Sequence, residues 1–306
     1  MNQNETPIIT KGVGGLYTVR RPDGSTVACR ARGSFRHDGI TPLVGDRVTL
    51  VEDGEQGFVI DAICERKNAL IRPPMANLDC IFVTMAAASP APILTTVDKL
   101  TAIAEHNQIE PILVITKSEL RADYAEELRA LYASCGFSAF AVSAVENTGI
   151  NALEQYIKEE LGGKIAAFAG ASGVGKSTLL NRLFPTLALS TSEISRKIER
   201  GRHTTRQVEL FALSESETSG YIADTPGFSM LDFERFDFMD ADDLPLAMRE
   251  FAARIGECRY TKCSHTKEEG CAIVDAVARG EIPKSRHESF CELHAILKAK
   301  KKWDKR

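Results

Sequence analysis

Residues 164–184 read KIAAFAGASGVGKSTLLNRLF. An apolar run of strand length, Lys164 to Ala169, leads into Gly170-Ala171-Ser172-Gly173-Val174-Gly175-Lys176-Ser177, and Thr178 to Phe184 begin a helix. Two glycines with four residues between them, followed by Lys-Ser and set between strand and helix, form a phosphate-binding loop. Gly173 and Gly175 let successive backbone N–H groups turn inward on phosphate oxygens, and the positive end of the helix adds to the attraction. In such a loop Lys176 bridges the terminal phosphates, Ser177 holds Mg²⁺ and Thr178 continues the cradle. A glycine-rich turn that binds nothing is the plainer alternative, and the flanking strand and helix argue against it. The loop leaves the identity of the nucleotide open.

Toward the amino terminus the pattern alternates. DCIFVTM (Asp79 to Met85), Glu110 to Ile115 and Ala139 to Val142 read as buried strands, and Ile93 to His106, Arg121 to Cys135 and Ile150 to Leu161 as amphipathic helices. Alternation of this kind predicts a parallel sheet covered on both faces. Two strand ends carry informative residues: Thr116-Lys117-Ser118-Glu119 and Ser143-Ala144. Guanine-nucleotide sites place Asn-Lys-x-Asp and Ser-Ala there, so that a carboxylate accepts the ring N–H and exocyclic amine of guanine. Adenine inverts that pattern and leaves buried groups unpaired. Thr116 stands for Asn and Glu119 for Asp. Glu119 keeps the charge with one more methylene, so guanine preference is expected to survive with weakened affinity. A helix start with a chance capping box accounts for Thr116 to Glu119 taken alone, but not for its sharing a sheet with Ser143-Ala144 and the phosphate loop.

Beyond the loop, Ser190 to Arg206 (STSEISRKIERGRHTTR) is polar, basic and without apolar period, and is expected to be a switch. Thr204 or Thr205 is expected to coordinate Mg²⁺. Gln207 to Leu213 and Gly220 to Ala223 read as strands, the second ending in Asp224-Thr225-Pro226-Gly227, where Asp224 reaches Mg²⁺ and the Gly227 N–H senses the γ-phosphate. Phe228 follows, in the place where a glutamine would orient the attacking water, and its ring cannot do so. His203 is the nearest acid-base residue and the candidate catalytic group; a solvated loop histidine is its plainer reading. Base recognition precedes the phosphate loop here, which makes the domain a circular permutation.

Residues 6–66 show no helical period. Short β-rich runs lie between turns about ten residues apart, as in a small OB-fold or SH3-like barrel. Arg30, Arg32, Phe35, Arg36 and His37 form a basic loop with one aromatic ring available to stack on a base, which favours RNA contact; a plain structural module is the alternative. Arg72-Pro73-Pro74 marks a boundary. At the carboxyl end, Leu244 to Glu257 and Glu288 onward read as helices flanking CRYTKCSHTKEEGC. Its Cys258, Cys263, His265 and Cys271 supply three thiolates and one imidazole within fourteen residues. That is a closed tetrahedral zinc set with no position left for water, hence structural. Reduced, unliganded cysteines are the alternative.

The 306 residues, 43% hydrophobic and 26% charged, suit a globular chain of two or three domains. MNQNETPIIT has no signal-peptide character and no apolar run reaches the roughly 18 residues of a membrane helix, so a cytoplasmic protein without membrane contact is expected. The net charge of −4 divides into 0 over 1–70, −7 over 71–240 and +3 over 241–306. The basic end, finishing in LKAKKKWDKR, suits an anionic partner or a solvated helix face.

With these residues in hand, the chain resembles the ribosome small subunit-dependent GTPase A (RsgA) family over nearly its whole length. The likeness lies in the barrel, IRPPMAN, GRHTTR, DTPG and the zinc knot followed by GCAI. The resemblance implies an OB-fold barrel at 1–70 that binds RNA, a circularly permuted GTPase domain at 71–235 and a helical zinc-binding domain at 236–306 that contacts rRNA. It further implies GTP hydrolysis to GDP, stimulated by the small ribosomal subunit during its late maturation, by a monomer carrying one zinc and using magnesium with GTP. A nucleotide-gated rRNA-binding module with little or no hydrolysis is the alternative, and turnover with and without small subunits separates the two.

Overall fold

The computed structural model describes residues 6–37, 39–54, 57–185, 208–213, 220–224 and 239–300. Packing divides the described residues into two compact units, one drawn from 1–80, 151–168 and 177–228 and the other from 81–150, 169–176 and 229–306.

The first unit begins with β1 (Ile8–Val13), β2 (Leu16–Arg20), β3 (Thr26–Ala31), a one-turn helix α1 (Ser34–His37), β4 (Val48–Asp53) and β5 (Gly57–Ile63). β1, β2 and β3 form an antiparallel meander, β3 runs parallel to β5, and β5 pairs antiparallel with β4. The β4 end returns to β1 through an Ile8–Arg47 bridge and a hydrogen bond from Val48 N–H to the Pro7 carbonyl at 2.9 Å. The closed order β1-β2-β3-β5-β4-β1, with a helix between β3 and β4, is that of an OB-fold. Ile8, Ile9, Val19, Cys29, Val48 and Ile60 fill it. Phe35 is 8% exposed. The expected stacking ring is thus core: one turn of helix carries Phe35 inward while its neighbours Ser34 and His37 remain outside.

Arg72-Pro73-Pro74 lies in the turn between two short paired strands, β6 (Ala69–Leu70) and β7 (Met75–Ala76). The unit is completed by α4 (Ile150–Glu160), β11 (Ile165–Ala169), the body of α5 (Lys176–Leu183), β12 (Glu209–Ala212) and β13 (Tyr221–Asp224). β11 and β13 are parallel, β12 is antiparallel to β13, and Lys11 of β1 pairs with Glu209 of β12.

The second unit holds β8 (Cys80–Ala86), α2 (Leu94–His106), β9 (Glu110–Thr116), α3 (Ala122–Ser134) and β10 (Ala139–Ala141), with strand order β10-β9-β8. Every residue of β8 is buried, as is β9 from Pro111 onward, which is why both read as unbroken apolar runs. At the carboxyl end come α6 (Ala272–Ala278) and α7 (Lys284–Ala299). The helix expected over Leu244 to Glu257 is absent. Two 3-10 turns, Leu244–Ala247 and Arg249–Phe251, take its place, separated by Met248 in extended geometry. Arg249 is drawn aside to Glu105, Glu110 and the Gly136 carbonyl, and those tertiary bonds outweigh a weak helix propensity interrupted by Pro245. The final helix starts at Lys284, four residues ahead of the expected Glu288.

Candidate functional site

The phosphate loop follows β11 and runs into α5, whose first residue is Lys176. Gly170, at φ +146°, lies so close to β8 that a Cβ would come 2.1 Å from the Thr84 carbonyl oxygen. Gly175 holds φ +97°, a left-handed conformation that other residues reach only with strain. Ala171, Ser172 and Gly173 are exposed, and Val174 is buried as the anchor of the loop. Lys176 turns back over the loop, donating to the carbonyls of Gly170 at 2.6 Å and Ala171 at 2.7 Å. Burial pulls its ammonium below the ordinary lysine pKa. An anion placed among the loop N–H groups supplies what those carbonyls supply here, with full charge. Ser177 and Thr178 stand exposed on the first turn of α5.

The Thr116-Lys117-Ser118-Glu119 segment packs against this loop. Thr116, 4% exposed, sets its hydroxyl 3.1 Å from the Met85 carbonyl and in hydrogen-bond contact with the Val174 carbonyl. Lys117, in left-handed backbone at φ 54°, directs its ammonium to the Gly173 carbonyl at 2.8 Å and to the Ser89 carbonyl. The Ser118 N–H donates to the Val142 carbonyl at 3.2 Å, bringing in the second predicted base-contacting strand end. There Ser143 is wholly buried and its hydroxyl accepts the Glu146 N–H at 3.0 Å, while Ala144 is half-buried. Ser118–Leu120 form a 3-10 turn that seats Glu119, whose Oε2 is buried and has no hydrogen-bond partner. A buried, unpaired carboxylate oxygen costs about 1–3 kcal/mol or more, a cost that a donor on a ligand removes. Guanine, with two adjacent N–H donors, meets that need; the Thr-for-Asn replacement retains a polar tie to the phosphate loop.

Asp224 ends β13, as expected, and its backbone alone is described. His203, Thr204, Thr205 and Gly227 lie outside the described residues, so Ser177 is the one magnesium ligand of the predicted set whose side chain is placed.

The predicted metal ligands converge. One donor atom from each of Cys258, Cys263, His265 and Cys271 lies within 4.8 Å of all the others. Cys258 Sγ and Cys271 Sγ are 3.4 and 3.6 Å from His265 Nδ1 and 3.9 Å from each other. Tetrahedral zinc with ordinary bond lengths requires about 3.6 Å between sulfur and nitrogen and about 3.8 Å between sulfurs, so the donor set fits zinc. Desolvation and the neighbouring thiols push the Cys263 thiol up, and a cation at the centre reverses that balance. Around the cluster, Glu268 accepts the Ser264 N–H at 2.8 Å and the Thr266 and Lys267 N–H groups at 3.1 Å. Burial alone would raise its carboxyl, but hydrogen bonds from Ser264 and Lys267 hold it at about 2. His287 of α7 bonds the His265 carbonyl at 2.8 Å. Neither Glu268 nor His287 stood out in the sequence; a carboxylate inside the ligand run was the available signal. The Ser89 and Met85 contacts use backbone carbonyls and had none.

A strand-to-helix phosphate loop, tied to the Thr116–Glu119 loop that precedes it in the chain, defines a P-loop nucleotide-binding protein of permuted order. Residues 63–234 match the RsgA GTPase family and residues 7–59 the RsgA N-terminal domain. The "Small ribosomal subunit biogenesis GTPase RsgA" of Ruminiclostridium cellulolyticum is 40% identical over 294 residues, covering 95% of this chain and 93% of the relative. The protein of the same name from Bacillus pumilus is 40% identical over 302 residues, covering 96% and 97%. Among solved structures, YjeQ from Thermotoga maritima superposes with a TM-score of 0.81 at 30% identity, covering 97% of this chain and 99% of that one. YloQ, described as a circularly permuted GTPase, gives 0.75 at 30% identity over 95% and 94%. The chain belongs to the RsgA GTPase family and is a GTP hydrolase of circularly permuted fold.

Proposed function

We propose that this chain binds the small ribosomal subunit and hydrolyses GTP to GDP and phosphate during late maturation of that subunit, contacting its rRNA. One juxtaposition carries the nucleotide side of this reading: Thr116 and Lys117 engage phosphate-loop carbonyls while Glu119 Oε2 is left without a donor. The relatives named for small ribosomal subunit biogenesis support the ribosomal side.

In this reading Gly170 to Thr178 cradle the phosphates, with Lys176 leaving its own loop carbonyls for phosphate oxygens. Thr116 to Glu119 with Ser143 and Ala144 take the base, Gly227 senses the γ-phosphate, and His203 orients the attacking water. Ser177, Asp224 and Thr205, with Thr204 beside it, would hold the magnesium that accompanies GTP and neutralises phosphate charge. Cys258, Cys263, His265 and Cys271 hold one structural zinc. We assign 1–70 as the RNA-binding barrel, 71–235 as the GTPase domain and 236–306 as the zinc-binding domain of a cytoplasmic monomer. Among the described residues no helix is long and apolar enough to cross a membrane.

GTP turnover measured with and without purified small subunits tests the proposal. Stimulation by the subunit is expected. Nucleotide-dependent subunit binding without turnover would refute the hydrolytic role and leave a nucleotide-gated rRNA-binding module.

A further inference from the structure

His265 faces the cysteine sulfurs through Nδ1, 3.4 Å from Cys258 Sγ and 3.6 Å from Cys271 Sγ. Nδ1 is bonded to the ring carbon that carries Cβ, so any shift of the main chain takes the donor with it. That main chain is left-handed, at φ 58°, a conformation that L residues hold only with support from their surroundings. Glu268 supplies the support. Its Oε1 accepts the Ser264 N–H at 2.8 Å and the Ser264 hydroxyl, and its Oε2 accepts the Thr266 and Lys267 N–H groups, each at 3.1 Å. Donors on both sides of His265 thus converge on one carboxylate, as backbone N–H groups converge on a bound anion. The Glu268 carbonyl in turn accepts the Cys271 N–H at 3.2 Å, and His287 bonds the His265 carbonyl at 2.8 Å.

We infer that Glu268 is the positioning residue of the zinc site. It stands outside the ligand set; its carboxylate fixes the turn that aims His265, and its main chain ties that turn to Cys271. Charge alone would predict the reverse. Three thiolates and a neutral imidazole about a divalent cation leave one net negative charge, which repels a nearby carboxylate. Glu268 is held there by its N–H and O–H donors. The inference rests on the zinc reading above and adds the residue that shapes the site.

Two measurements on the full-length chain test it: zinc affinity by competition with a chromophoric chelator, and the visible spectrum of the cobalt(II)-substituted form. Glu268→Gln is expected to weaken zinc about 10- to 100-fold, the range for groups that orient metal ligands, because an amide NH₂ then meets N–H donors where an oxygen stood. The cobalt d–d bands, which report ligand geometry, should shift, while the sulfur-to-cobalt charge-transfer absorption of the three thiolates persists. Glu269→Gln removes the same charge from the exposed side chain next along and should change zinc affinity by less than about twofold. Zinc held as tightly or more tightly by Glu268→Gln, an equal loss in Glu269→Gln, or unshifted cobalt bands in Glu268→Gln overturns the inference. If Glu268→Gln folds poorly, hydrogen exchange on the unaltered, zinc-loaded chain decides. The Lys267 amide, on an exposed residue, is expected to exchange slowly because Glu268 holds it; exchange there at the rate of a free amide overturns the inference. An unaltered chain that takes up neither zinc nor cobalt removes the zinc reading, and this inference with it.

Discussion

Arg286 is the largest side chain with no exposure among the described residues, and replacing it by Met is expected to destabilise the carboxyl-terminal half of the protein severely. Its guanidinium grips Glu250 through Nε at 2.7 Å and Nη2 at 3.2 Å, while Nη1 reaches the Asp98 carboxylate and Thr101 Oγ1. Side-chain exposure is 0% for Arg286, 1% for Asp98 and 4% for Glu250. Tyr132 OH donates to the same Asp98 oxygen at 2.8 Å. Arg286→Met therefore leaves two carboxylates buried without a counter-charge, a loss of about 3–5 kcal/mol for breaking a buried pair from one side. For a unit of this size that is a fall of roughly 10 °C in Tm. The deficit carries a pH signature. Burial raises the Asp98 carboxyl even with Arg286 beside it, and without Arg286 it rises further. A carboxyl raised in the folded state binds more protons folded than unfolded, so stability falls as pH rises between the two pKa values. The Arg286→Met deficit should accordingly shrink as pH is lowered from about 8 toward about 5. Thermal unfolding across that range, with hydrogen exchange at α7 as a local probe, measures both effects. The combined Asp98→Asn, Glu250→Gln, Arg286→Met variant should recover much of the loss, since the charges go together. A cost under about 1 kcal/mol for Arg286→Met at the alkaline end of the range, or a deficit independent of pH, would show that the network is no electrostatic lock.

Three further outcomes are expected. Cys263→Ala should abolish stoichiometric zinc measured by elemental analysis and unfold the region around 258–271, given apparent zinc contributions on the order of 10 kcal/mol in small domains; basal GTP turnover should survive, and its loss in a protein whose phosphate-loop unit stays folded would contradict a structural role. Glu119→Asp should tighten GTP and GDP in equilibrium titrations without creating ATP binding, whereas weaker guanine affinity would mean that the 3-10 turn at Ser118–Leu120 is built around the longer side chain. His203→Ala should leave GTP and subunit binding nearly intact while lowering subunit-stimulated turnover by roughly 10²- to 10⁴-fold; undiminished stimulation in a turnover assay would move the water-orienting group to the ribosomal partner.

Long apolar runs made the central strands legible, because a strand buried on both faces has no other composition available. The phosphate loop and the four metal ligands were legible because their chemistry fixes residue type and spacing together. The barrel was recognisable as a barrel, but strand and turn patterns alone left OB-fold and SH3-like types open; the family resemblance implied the OB-fold, and the parallel β3–β5 pairing and the Ile8–Arg47 closure that define it leave no local trace. Segment 244–257 misled because its apolar and charged residues mimic a helix; the partners of Arg249, at Glu105 and Glu110, lie far away in sequence, 144 and 139 residues upstream. The Arg286 network is hidden for the same reason. An arginine in an amphipathic helix ordinarily reads as solvated, and only tertiary structure reveals that α7 turns this one inward.

The strand β1 shows how the barrel and the nucleotide-binding sheet are made continuous. Its first residues close the barrel: Ile9 N–H bonds the Asp46 carbonyl and Gly45 N–H the Ile9 carbonyl, each at 2.9 Å. An irregularity between Ile9 and Lys11 then shifts the register against β2. A bulge of this kind bends a strand and redirects its edge. Beyond it Lys11 pairs with Glu209 of β12 and adds an ion pair at 2.8 Å. β12 would otherwise present an open edge of unpaired N–H and C=O groups, a known hazard for aggregation. It is also the strand that links the segment read as the switch to the hairpin ending at Asp224. The barrel stands at the start of the chain and β12 late in it, and β1 joins the two through main-chain pairing. Removing the barrel would therefore expose β12, and changes in β12 bear directly on the barrel wall.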